Sequence, residues 1–419
     1  MNLALLKASG SLVLVPLSVD PALSYLRTRI EMWRRASLLA VFAATRVAAA
    51  VAAFVIVGLP PPGDVPGYYG QFAAAALNGH RDPNSPYNPG FDYIIAGLLA
   101  VFHSPLSFVF LMIAVEIAAL GFVDAIVRAH DRRLASAIAA RWLVCPISLF
   151  HVALGGHNDV FVLLTWAVVA WAVACNRRIA PGVWAAVGFA CSKILAVFAF
   201  VPLAFGTAAQ MRRSAVAFVA VTIAWIAACV VLQVPIDGVL REGQLVTAGN
   251  VWALPYILWQ TGPRHAAAWQ HGICAAALAL TVWHATRDLS SPQWQRMLRA
   301  CGTVGCVFLL LSPKSFAGYA VMFLPGLLFI VDALSDDGRR AWFAAVFMAV
   351  ATFQPSVWFY FSEGTTLSDV AWGRPLMLAT DLLLLAGYAM IARHGLAAVE
   401  ASRIAGNRRQ PSTAPAMIA

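Results

Sequence analysis

A carboxylate near the start of a long polar stretch is the first group that could do chemistry. Asp64 follows an apolar run and opens residues 60–92, which are rich in Pro, Gly, Asn and Tyr. Such a carboxylate can act as a general base, because deprotonating a hydroxyl nucleophile needs an acidic group within hydrogen-bond reach. The alternative is a solvated aspartate in a Pro-Gly turn. The stretch also predicts a short interfacial helix over 69–77, and it holds Tyr69 and Asp92 as substrate-binding candidates.

A second polar segment interrupts two apolar runs. It consists of Gly155 and Gly156 followed by His157, Asn158 and Asp159. The last two residues could simply cap the following helix. Three consecutive polar side chains beside two glycines instead favour a lined cavity on the same membrane face as the first loop. His157 is a poor metal candidate, because no other His or Cys stands at ligand spacing.

Two later loops also carry polar residues. Residues 237–264 include Arg241, Trp252 and Arg264 among several aromatics, a pattern typical of a membrane-interface anchor but also of a platform for sugar rings. Residues 311–319 form a predicted tight turn that presents Lys314. A lone lysine on the outer face runs against the usual charge distribution, which makes an anionic ligand such as a phosphate worth considering.

The amino-acid composition indicates that membrane helices position these loops. The chain has 419 residues, of which 61% are hydrophobic and 11% charged, with a mean hydropathy of +0.76. A soluble domain carries about a quarter charged residues, so these values predict a polytopic helical membrane protein. The net charge of +10 is better explained by topology signals between apolar runs than by a nucleic-acid partner. Seven cysteines without a CxxC pair predict neither a disulfide framework nor a metal knuckle.

The basic clusters predict the orientation of the helices. A span needs about 20 apolar residues, and the arginines between the runs place the first strong run, 37–59, with its start in the cytoplasm. We expect about 11–13 membrane helices with both termini cytoplasmic. Arginine pairs on either side of 179–211 favour a hairpin of two short helices broken near residues 191–192, although a single span is the alternative. The predicted units are a cytoplasmic segment 1–36, a membrane domain 37–392 and a disordered cytoplasmic tail 393–419.

Four charged residues fall inside the apolar runs. Charges at such depth usually face a bundle interior or a pathway. Glu116 and Arg141 could lie at similar depth and pair, whereas Lys193 at the hairpin tip could snorkel toward a lipid head group. The fourth, Arg46, has no partner that the spacing identifies.

The order of these motifs resembles the GT-C superfamily of integral-membrane glycosyltransferases, especially the bacterial polyprenyl-phosphomannose-dependent mannosyltransferases. The resemblance covers residues 37–392. It rests on a carboxylate in the first outer loop and on Gly156-His157-Asn158-Asp159, which is similar to the G-H-N-D turn of that group. Weaker elements are the Asn78–Pro89 passage, Gly188–Lys193 and the Ser312-Pro313 pair.

The resemblance implies a fold, a reaction and a site. The fold is an all-α, GT-C-like transmembrane bundle in a bacterial-type inner membrane. The reaction is inverting transfer of a hexose, mannose in the nearest group, from a polyprenyl phosphate to an extracytoplasmic glycan or glycolipid, without metal or other cofactor. Asp64 is then the catalytic base, and the donor phosphate meets Lys314, Arg264 and His157. The implied substrate-binding residues are Asn158, Asp159, Tyr69, Asp92 and Trp252.

Two other classes of protein remain open at the level of sequence. A transporter or flippase for a lipid-linked or polar substrate would also use charges inside the membrane. Transporters commonly show two related halves with broken helices in matching positions, and no such duplication is visible in this chain. A non-catalytic membrane subunit with the same fold is the third possibility.

Overall fold

The structure is a computed structural model that describes residues 3–19, 22–62, 64–236, 238, 244–259, 265–288, 290–335, 337–362 and 373–409. These residues form helices and connecting loops with no strand, and one isolated antiparallel bridge joins Leu245 to His265. The coarse prediction of an all-α membrane bundle is therefore confirmed.

The first half of the chain supplies the helices around the polar loops. They are α1 (Leu3–Leu17), α2 (Ala22–Met32), α3 (Arg35–Val51), α4 (Gly70–Leu77), α5 (Pro89–Phe102), α6 (Leu106–Arg128), α7 (Arg132–Val144), α8 (Val160–Ala174) and α9 (Ala180–Ala190). Wider π-helical turns cover Ala52–Ile56, Val65–Tyr69 and Ser148–Ala153. The short helix predicted over 69–77 is confirmed as α4.

The second half begins with two 3₁₀ segments, Ile194–Phe200 and Pro202–Phe205. It continues with α10 (Ala208–Val231), α11 (Ala253–Trp259), α12 (Ala268–Thr286) and α13 (Gln293–Leu311). A third 3₁₀ segment, Ala317–Phe323, leads into α14 (Leu324–Leu334), α15 (Gly338–Ser362) and α16 (Gly373–Arg409). Because α16 extends to Arg409, helical structure continues into the predicted tail 393–419.

Six segments among the described residues are long and apolar enough to cross a membrane, or seven if the bent pair α1–α2 is one span. They are Arg35–Ile56, Leu106–Arg128, Ala208–Val231, Ala317–Leu334, Gly338–Trp358 and Gly373–Ala401. Shorter apolar helices lie over Pro89–Phe102, Val160–Ala174, Ala180–Ala190 and Ile194–Phe205. The count of 11–13 membrane helices and the side on which each terminus lies stay predictions.

Residues 179–211 form the hairpin that the flanking arginines favour. The α9 helix ends at Ala190, and the next helical segment begins at Ile194. The two ends of the segment lie together, because the Gln210 amide donates to the Arg177 carbonyl at 2.8 Å and the Ser214 hydroxyl donates to the Arg178 carbonyl at 3.1 Å. A single span would separate these ends by the thickness of the membrane.

A buried polar network holds α3, α6 and α7 together. The Arg46 guanidinium donates to the Trp142 carbonyl at 2.9 Å and to the Ser148 hydroxyl at 2.8 Å. Glu116 accepts from the Trp142 indole and from Ser148, and its carboxylate lies 3.9 Å from Arg46. Arg141 instead contacts Asp332. The predicted Glu116–Arg141 pair is therefore wrong, because the packing turns each side chain toward a different neighbour.

One end of the bundle gathers arginines with carboxylate partners, and we call it the arginine end. Its ion pairs are Arg35–Asp124, Arg128–Asp124, Arg141–Asp332 and Arg299–Asp288. Asp332 lies near the last turn of α14, and Asp288 precedes α13. The opposite end of α15 holds Pro355 and Trp358, roughly 20 Å further along the helix axis at about 1.5 Å per residue. The polar loops singled out in the sequence lie at that second end.

Candidate functional site

A cavity of about 350 Å³ opens among these loops, and we call this the cavity end of the bundle. Its polar lining combines carboxylates, ammonium groups, imidazoles and phenols. The lining residues are Asp64, Tyr68, Tyr69, Pro86, Tyr87, His151, His157, Asp159, Lys193, Leu245, Val246, Thr247, Lys314, Phe316, Gly318, Tyr319, Pro355 and Trp358. Five residues predicted from the sequence, namely Asp64, Tyr69, His157, Asp159 and Lys314, therefore converge on one space.

The π-helical turn Val65–Tyr69 positions Asp64, which immediately precedes it. Val65 is fully buried, and its side chain fills the space beside Gly156, where an added Cβ would stand 2.8 Å from Cγ2 of Val65. The Asn158 backbone N–H donates to the Tyr69 hydroxyl at 3.2 Å. These two contacts fix the Asp64 loop against the Gly155–Asp159 turn, although the two segments are some ninety residues apart in the chain.

The two glycines of that turn have no room for a side chain. A Cβ on Gly155 would lie 2.4 Å from the His151 carbonyl oxygen and 2.6 Å from Cδ2 of His157. Gly156 has a φ of +63°, in the left-handed region that favours glycine. The turn therefore needs both glycines to bring His157 and Asp159 to the cavity.

Lys193 is part of the cavity lining. Its Nζ lies 2.9 Å from Oδ1 of Asp159, which is fully buried. The same ammonium faces the rings of Tyr87 and Tyr319, 5.5 and 5.1 Å from their centroids. A cation over aromatic faces beside one carboxylate is held in place while it stays able to bind an anion. The Gly188–Lys193 motif signalled this lysine, but the sequence placed it at a lipid-facing hairpin tip.

Lys314 reaches the cavity from a turn that is tied to the preceding loop. Asn250 is fully buried, and its amide donates to the Pro313 carbonyl at 3.1 Å. The Trp252 indole donates to the Leu311 carbonyl at 2.6 Å, and its ring contacts Trp269 edge-on. The predicted substrate-binding role of Trp252 thus has no support from its position, because the side chain braces the turn outside the cavity lining.

Asp92 also lies outside the cavity lining. Its carboxylate accepts from the Arg81 guanidinium at 2.7 Å and from the Ser85 hydroxyl at 3.0 Å, and all three residues are buried. The Arg81 guanidinium also donates hydrogen bonds to the backbone carbonyls of Pro235 and Tyr87. This network holds the loop that carries Tyr87 in place, so Asp92 influences the cavity only by fixing the position of that loop. Arg241 and Arg264 lie outside the described residues.

Several polar atoms around the cavity have no hydrogen-bond partner among the described residues. They are Nδ1 of His151, Nδ2 of Asn158 and Oδ2 of Asp159. Buried polar atoms are nearly always paired with protein or ordered water, so each of these atoms needs a partner that the described residues do not supply. Asn158 itself is 1% exposed and stands behind the lining.

Electrostatics keep the imidazole of His157 neutral. Burial lowers the pKa of His157 well below its usual range, and the neighbouring His151, Lys7 and Lys193 add to that lowering. The rings of His157 and His151 stand edge-to-face with their centroids 5.0 Å apart. A neutral His157 can donate or accept one hydrogen bond per ring nitrogen but adds no positive charge. The positive charge of the described lining therefore comes from lysine.

No group of three or more His, Cys, Asp or Glu side chains that could hold a metal ion occurs among the described residues. The prediction that the site needs no metal stays a prediction. The arrangement instead offers a carboxylate that can take a proton, two ammonium groups that can face an anion, and aromatic rings that can contact a sugar.

Comparison of the chain with protein-family models, with curated proteins and with solved structures finds no match. Over the described residues the structure establishes a helical bundle with six segments long and apolar enough to cross a membrane and with a polar cavity at one end. Its activity has to be argued from that cavity.

Proposed function

We propose that the protein is a membrane glycosyltransferase of the GT-C type. It transfers a hexose, mannose by the motif resemblance, from a polyprenyl phosphate to a glycan or glycolipid acceptor. The observation that carries the proposal is that Asp64, Lys193 and Lys314 line one cavity in a chain with membrane-spanning helices. A carboxylate and separate ammonium groups are what the two halves of this reaction need.

The proposed reaction is a single displacement. An acceptor hydroxyl oxygen attacks the anomeric carbon, and the bond from that carbon to the phosphate oxygen breaks on the opposite face, which inverts the configuration. The hydroxyl proton passes to the Asp64 carboxylate. The electron pair of the broken bond stays on the polyprenyl phosphate, whose negative charge increases as it leaves.

The lysines are suited to that developing charge. Cations already positioned toward a leaving phosphate stabilise the transition state more than the ground state. Lys193 and Lys314 take this role, with Arg264 as the candidate outside the described residues. His157 is neutral and is therefore assigned a hydrogen bond to the donor instead of a charge contact. Asp159 positions Lys193 through its 2.9 Å contact.

The separation of the two ends supports an orientation in the membrane. The arginine end holds the basic residues that the positive-inside rule assigns to the cytoplasm. We therefore place the cavity end, and with it the active site, on the extracytoplasmic side of a bacterial-type inner membrane. The C-terminus is cytoplasmic. The six or seven spanning segments and the four shorter apolar helices make ten or eleven among the described residues, and α12 and α13 bring the proposed total within 11–13 membrane helices. The partners are the lipid-linked donor, the acceptor and membrane lipids, with no nucleic acid.

A test uses purified protein in nanodiscs with synthetic polyprenyl-phosphomannose and with chelator present throughout. We expect wild type to transfer or hydrolyse the sugar, and Asp64→Asn to lower kcat by at least about 100-fold because the base is lost. Asp82→Asn is the matched control, since Asp82 lies in the same loop but outside the cavity lining, where it accepts from the Asn84 backbone at 2.8 Å. Equal activity of Asp64→Asn and wild type would contradict the assignment.

The same experiment separates the rival classes. Glucosyl and arabinosyl donors are included, because the sequence does not name the sugar. Transport is measured with the protein reconstituted into closed lipid vesicles. If no donor turns over in nanodiscs but the protein moves a lipid-linked substrate across the vesicle membrane, the protein is a transporter. Binding of a lipid phosphate with neither turnover nor transport would identify a non-catalytic subunit.

A further inference from the structure

One histidine of the cavity lining has no role in the reaction described above. His151 lies in the π-helical turn Ser148–Ala153 and lines the cavity, although in the sequence it is a single polar residue near the end of an apolar run. It is 1% exposed. Because a buried polar side chain that faces a cavity needs hydrogen-bond partners, the state of each ring nitrogen determines what the cavity can bind at this point.

The surroundings of His151 decide which ring nitrogen carries the hydrogen. Nε2 lies 3.2 Å from the Ala351 carbonyl oxygen. A carbonyl oxygen can only accept, so Nε2 is the nitrogen that donates. Burial lowers the pKa of His151 to about 3, and a neutral imidazole has a single N–H group. Nδ1 is therefore a hydrogen-bond acceptor.

This acceptor is the nitrogen without a partner. No hydrogen-bond donor reaches Nδ1 of His151 among the residues that the structure describes. The ring of His157 packs edge-to-face against the His151 ring, and the His157 backbone N–H donates to the His151 carbonyl oxygen at 3.0 Å. These contacts hold the imidazole in place but do not satisfy Nδ1. An unsatisfied buried acceptor costs free energy, and a bound group that donates to it removes that cost.

The imidazole lies on the side of the cavity proposed for the sugar donor. A Cβ added to Gly318 would stand 3.0 Å from Cε1 and 3.1 Å from Nδ1 of His151, so the ring lies in close contact with the backbone there. The next residue is Tyr319, whose ring centroid lies 5.1 Å from Nζ of Lys193. His151 is thus next to the segment that faces one of the lysines proposed to bind the phosphate.

We propose that His151 is a donor-binding residue whose Nδ1 accepts a hydrogen bond from one hydroxyl group of the hexose. The proposal rests on the function proposed above and deepens it. The phosphate that links a polyprenol to a sugar is ionised at neutral pH and has no hydrogen to donate, so it cannot pair with this nitrogen. The lysines therefore bind the phosphate, and His151 binds the sugar.

This division predicts how the site selects its donor. A site with a buried acceptor built for a hydroxyl group discriminates strongly against an analogue that lacks this group, because the acceptor is then left unpaired. The hexose must therefore carry a hydroxyl group at the position that meets Nδ1 of His151. A sugar deoxygenated at that position alone is expected to bind weakly.

The first experiment measures the Kd of polyprenyl-phosphomannose, and of analogues that each lack one mannose hydroxyl group, for protein in nanodiscs. His151→Gln keeps an amide N–H that can reach the Ala351 carbonyl but removes Nδ1. His284→Gln is the matched control, because Nε2 of His284 also lies near a backbone carbonyl oxygen, that of Leu396 at 3.4 Å, and His284 is outside the cavity lining.

We expect His151→Gln to bind the complete donor about tenfold more weakly than wild type does. One analogue should bind wild type about tenfold more weakly than the complete donor, and it should bind His151→Gln and wild type equally well. His284→Gln should match wild type throughout. Equal losses of affinity for the complete donor and for every analogue would overturn the proposal, since His151 would then serve only the fold. Unchanged binding of the complete donor to His151→Gln would also overturn it.

The second experiment observes the nitrogen directly and does not depend on sugar transfer. Nitrogen NMR of protein isotope-labelled at histidine distinguishes protonated from unprotonated ring nitrogens. The signals of His151 are those missing from His151→Gln or from His151→Asn, whichever variant folds. We expect Nδ1 to be unprotonated without ligand, and its signal to move when polyprenyl-phosphomannose is added but not when the discriminating analogue is added.

The outcomes separate this proposal from the proposed function. A protonated Nδ1 in the ligand-free protein would overturn the role of His151. A donor that is turned over while the Nδ1 signal stays in place would remove that role and leave the glycosyltransferase assignment intact. Absence of both donor binding and turnover would remove the proposed function and the role of His151 together.

Discussion

The ion pair in the cavity lining and the ion pairs at the arginine end differ in how completely their buried charges are paired. At the arginine end Arg141 donates to Asp332 at 3.0 Å and to Ser335 at 2.8 Å, so both partners are satisfied. At the cavity end Lys193 contacts only one oxygen of Asp159, and the other oxygen has no partner among the described residues. A fully paired group contributes to stability, whereas a buried oxygen without a protein partner costs stability unless a ligand or water pairs with it.

The choice of cation follows the same division. Arginine has a planar fork of donors that suits two-point contacts to carboxylates, whereas lysine is a compact point charge with rotatable donors. The arginine end uses forks to join helices. Arg81 serves Asp92 in the same way in the loop behind the cavity, whereas the cavity lining uses lysines that keep room for an anion. If the proposed function is correct, the arginine end serves stability and the cavity end serves chemistry, and substitutions at each end test that division.

The largest effect is expected for Lys193→Met. The change removes a cation proposed to face the donor phosphate and leaves the buried Asp159 carboxylate without its ammonium partner. We expect kcat/KM to fall by about 100-fold and the free energy of unfolding to fall by about 3 kcal/mol. Transfer assays and thermal unfolding in the same detergent measure the two losses.

The double variant Lys193→Met/Asp159→Asn separates those two losses. Replacing the unpaired Asp159 carboxylate by a neutral amide should restore much of the free energy of unfolding. It should restore none of the sugar transfer, because the cation is still absent. Recovery of transfer in the double variant would mean that Lys193 serves the fold and not the donor.

A smaller effect, on stability alone, is expected for Arg141→Met at the arginine end. The substitution breaks the contacts to Asp332 and Ser335, and we expect a loss of about 2 kcal/mol in the free energy of unfolding. The kcat/KM should stay within about twofold of wild type, since the site is at the other end. Arg133→Met is the control, because Arg133 is 83% exposed and lies 3.8 Å from Glu31. A fall in kcat/KM as large as that of Lys193→Met would refute the division of tasks.

The smallest effect is expected for Asp288→Asn and depends on pH. Burial alone would raise the pKa of Asp288, but hydrogen bonds from Ser291 and Ser290 and the charge of Arg299 outweigh it and hold the pKa below 3.8. A carboxyl group with a lowered pKa in the folded state stabilises the fold above its unfolded pKa, and that contribution is lost as pH falls through the folded pKa. Wild type should exceed Asp288→Asn by about 1 kcal/mol at neutral pH.

Unfolding temperatures measured from neutral pH down to acid check this dependence. The advantage of wild type should be constant near neutrality and disappear below about pH 4. Asp337→Asn is the control, since Asp337 is 47% exposed beside Arg340 and should change stability little at any pH. An advantage that grows on acidification would contradict the direction of the pKa shift.

The sequence alone determined the features that depend on local pattern. Apolar runs predict helices because a helix hydrogen-bonds its own backbone N–H and C=O groups, as the water-free interior of a membrane requires. The arginine pairs around 179–211 predicted a hairpin that the structure confirms. Polar residues that interrupt apolar runs predicted the loops, and Asp64, His157, Asp159 and Lys314 from three of these loops do line one cavity. Each of these inferences uses only neighbours in the chain and the side of the membrane on which they emerge.

Only the tertiary structure decided which charges meet. Arg141 and Asp332 are 191 residues apart, and Lys193 and Asp159 are 34 residues apart. Whether two side chains pair depends on how each helix is rotated about its axis and how far it is shifted along its neighbour, and a rotation of one residue moves a side chain by about 100°. That rotation is set by packing, which is why depth alone suggested the wrong partner for Glu116 and did not identify Asp159 as the partner of Lys193.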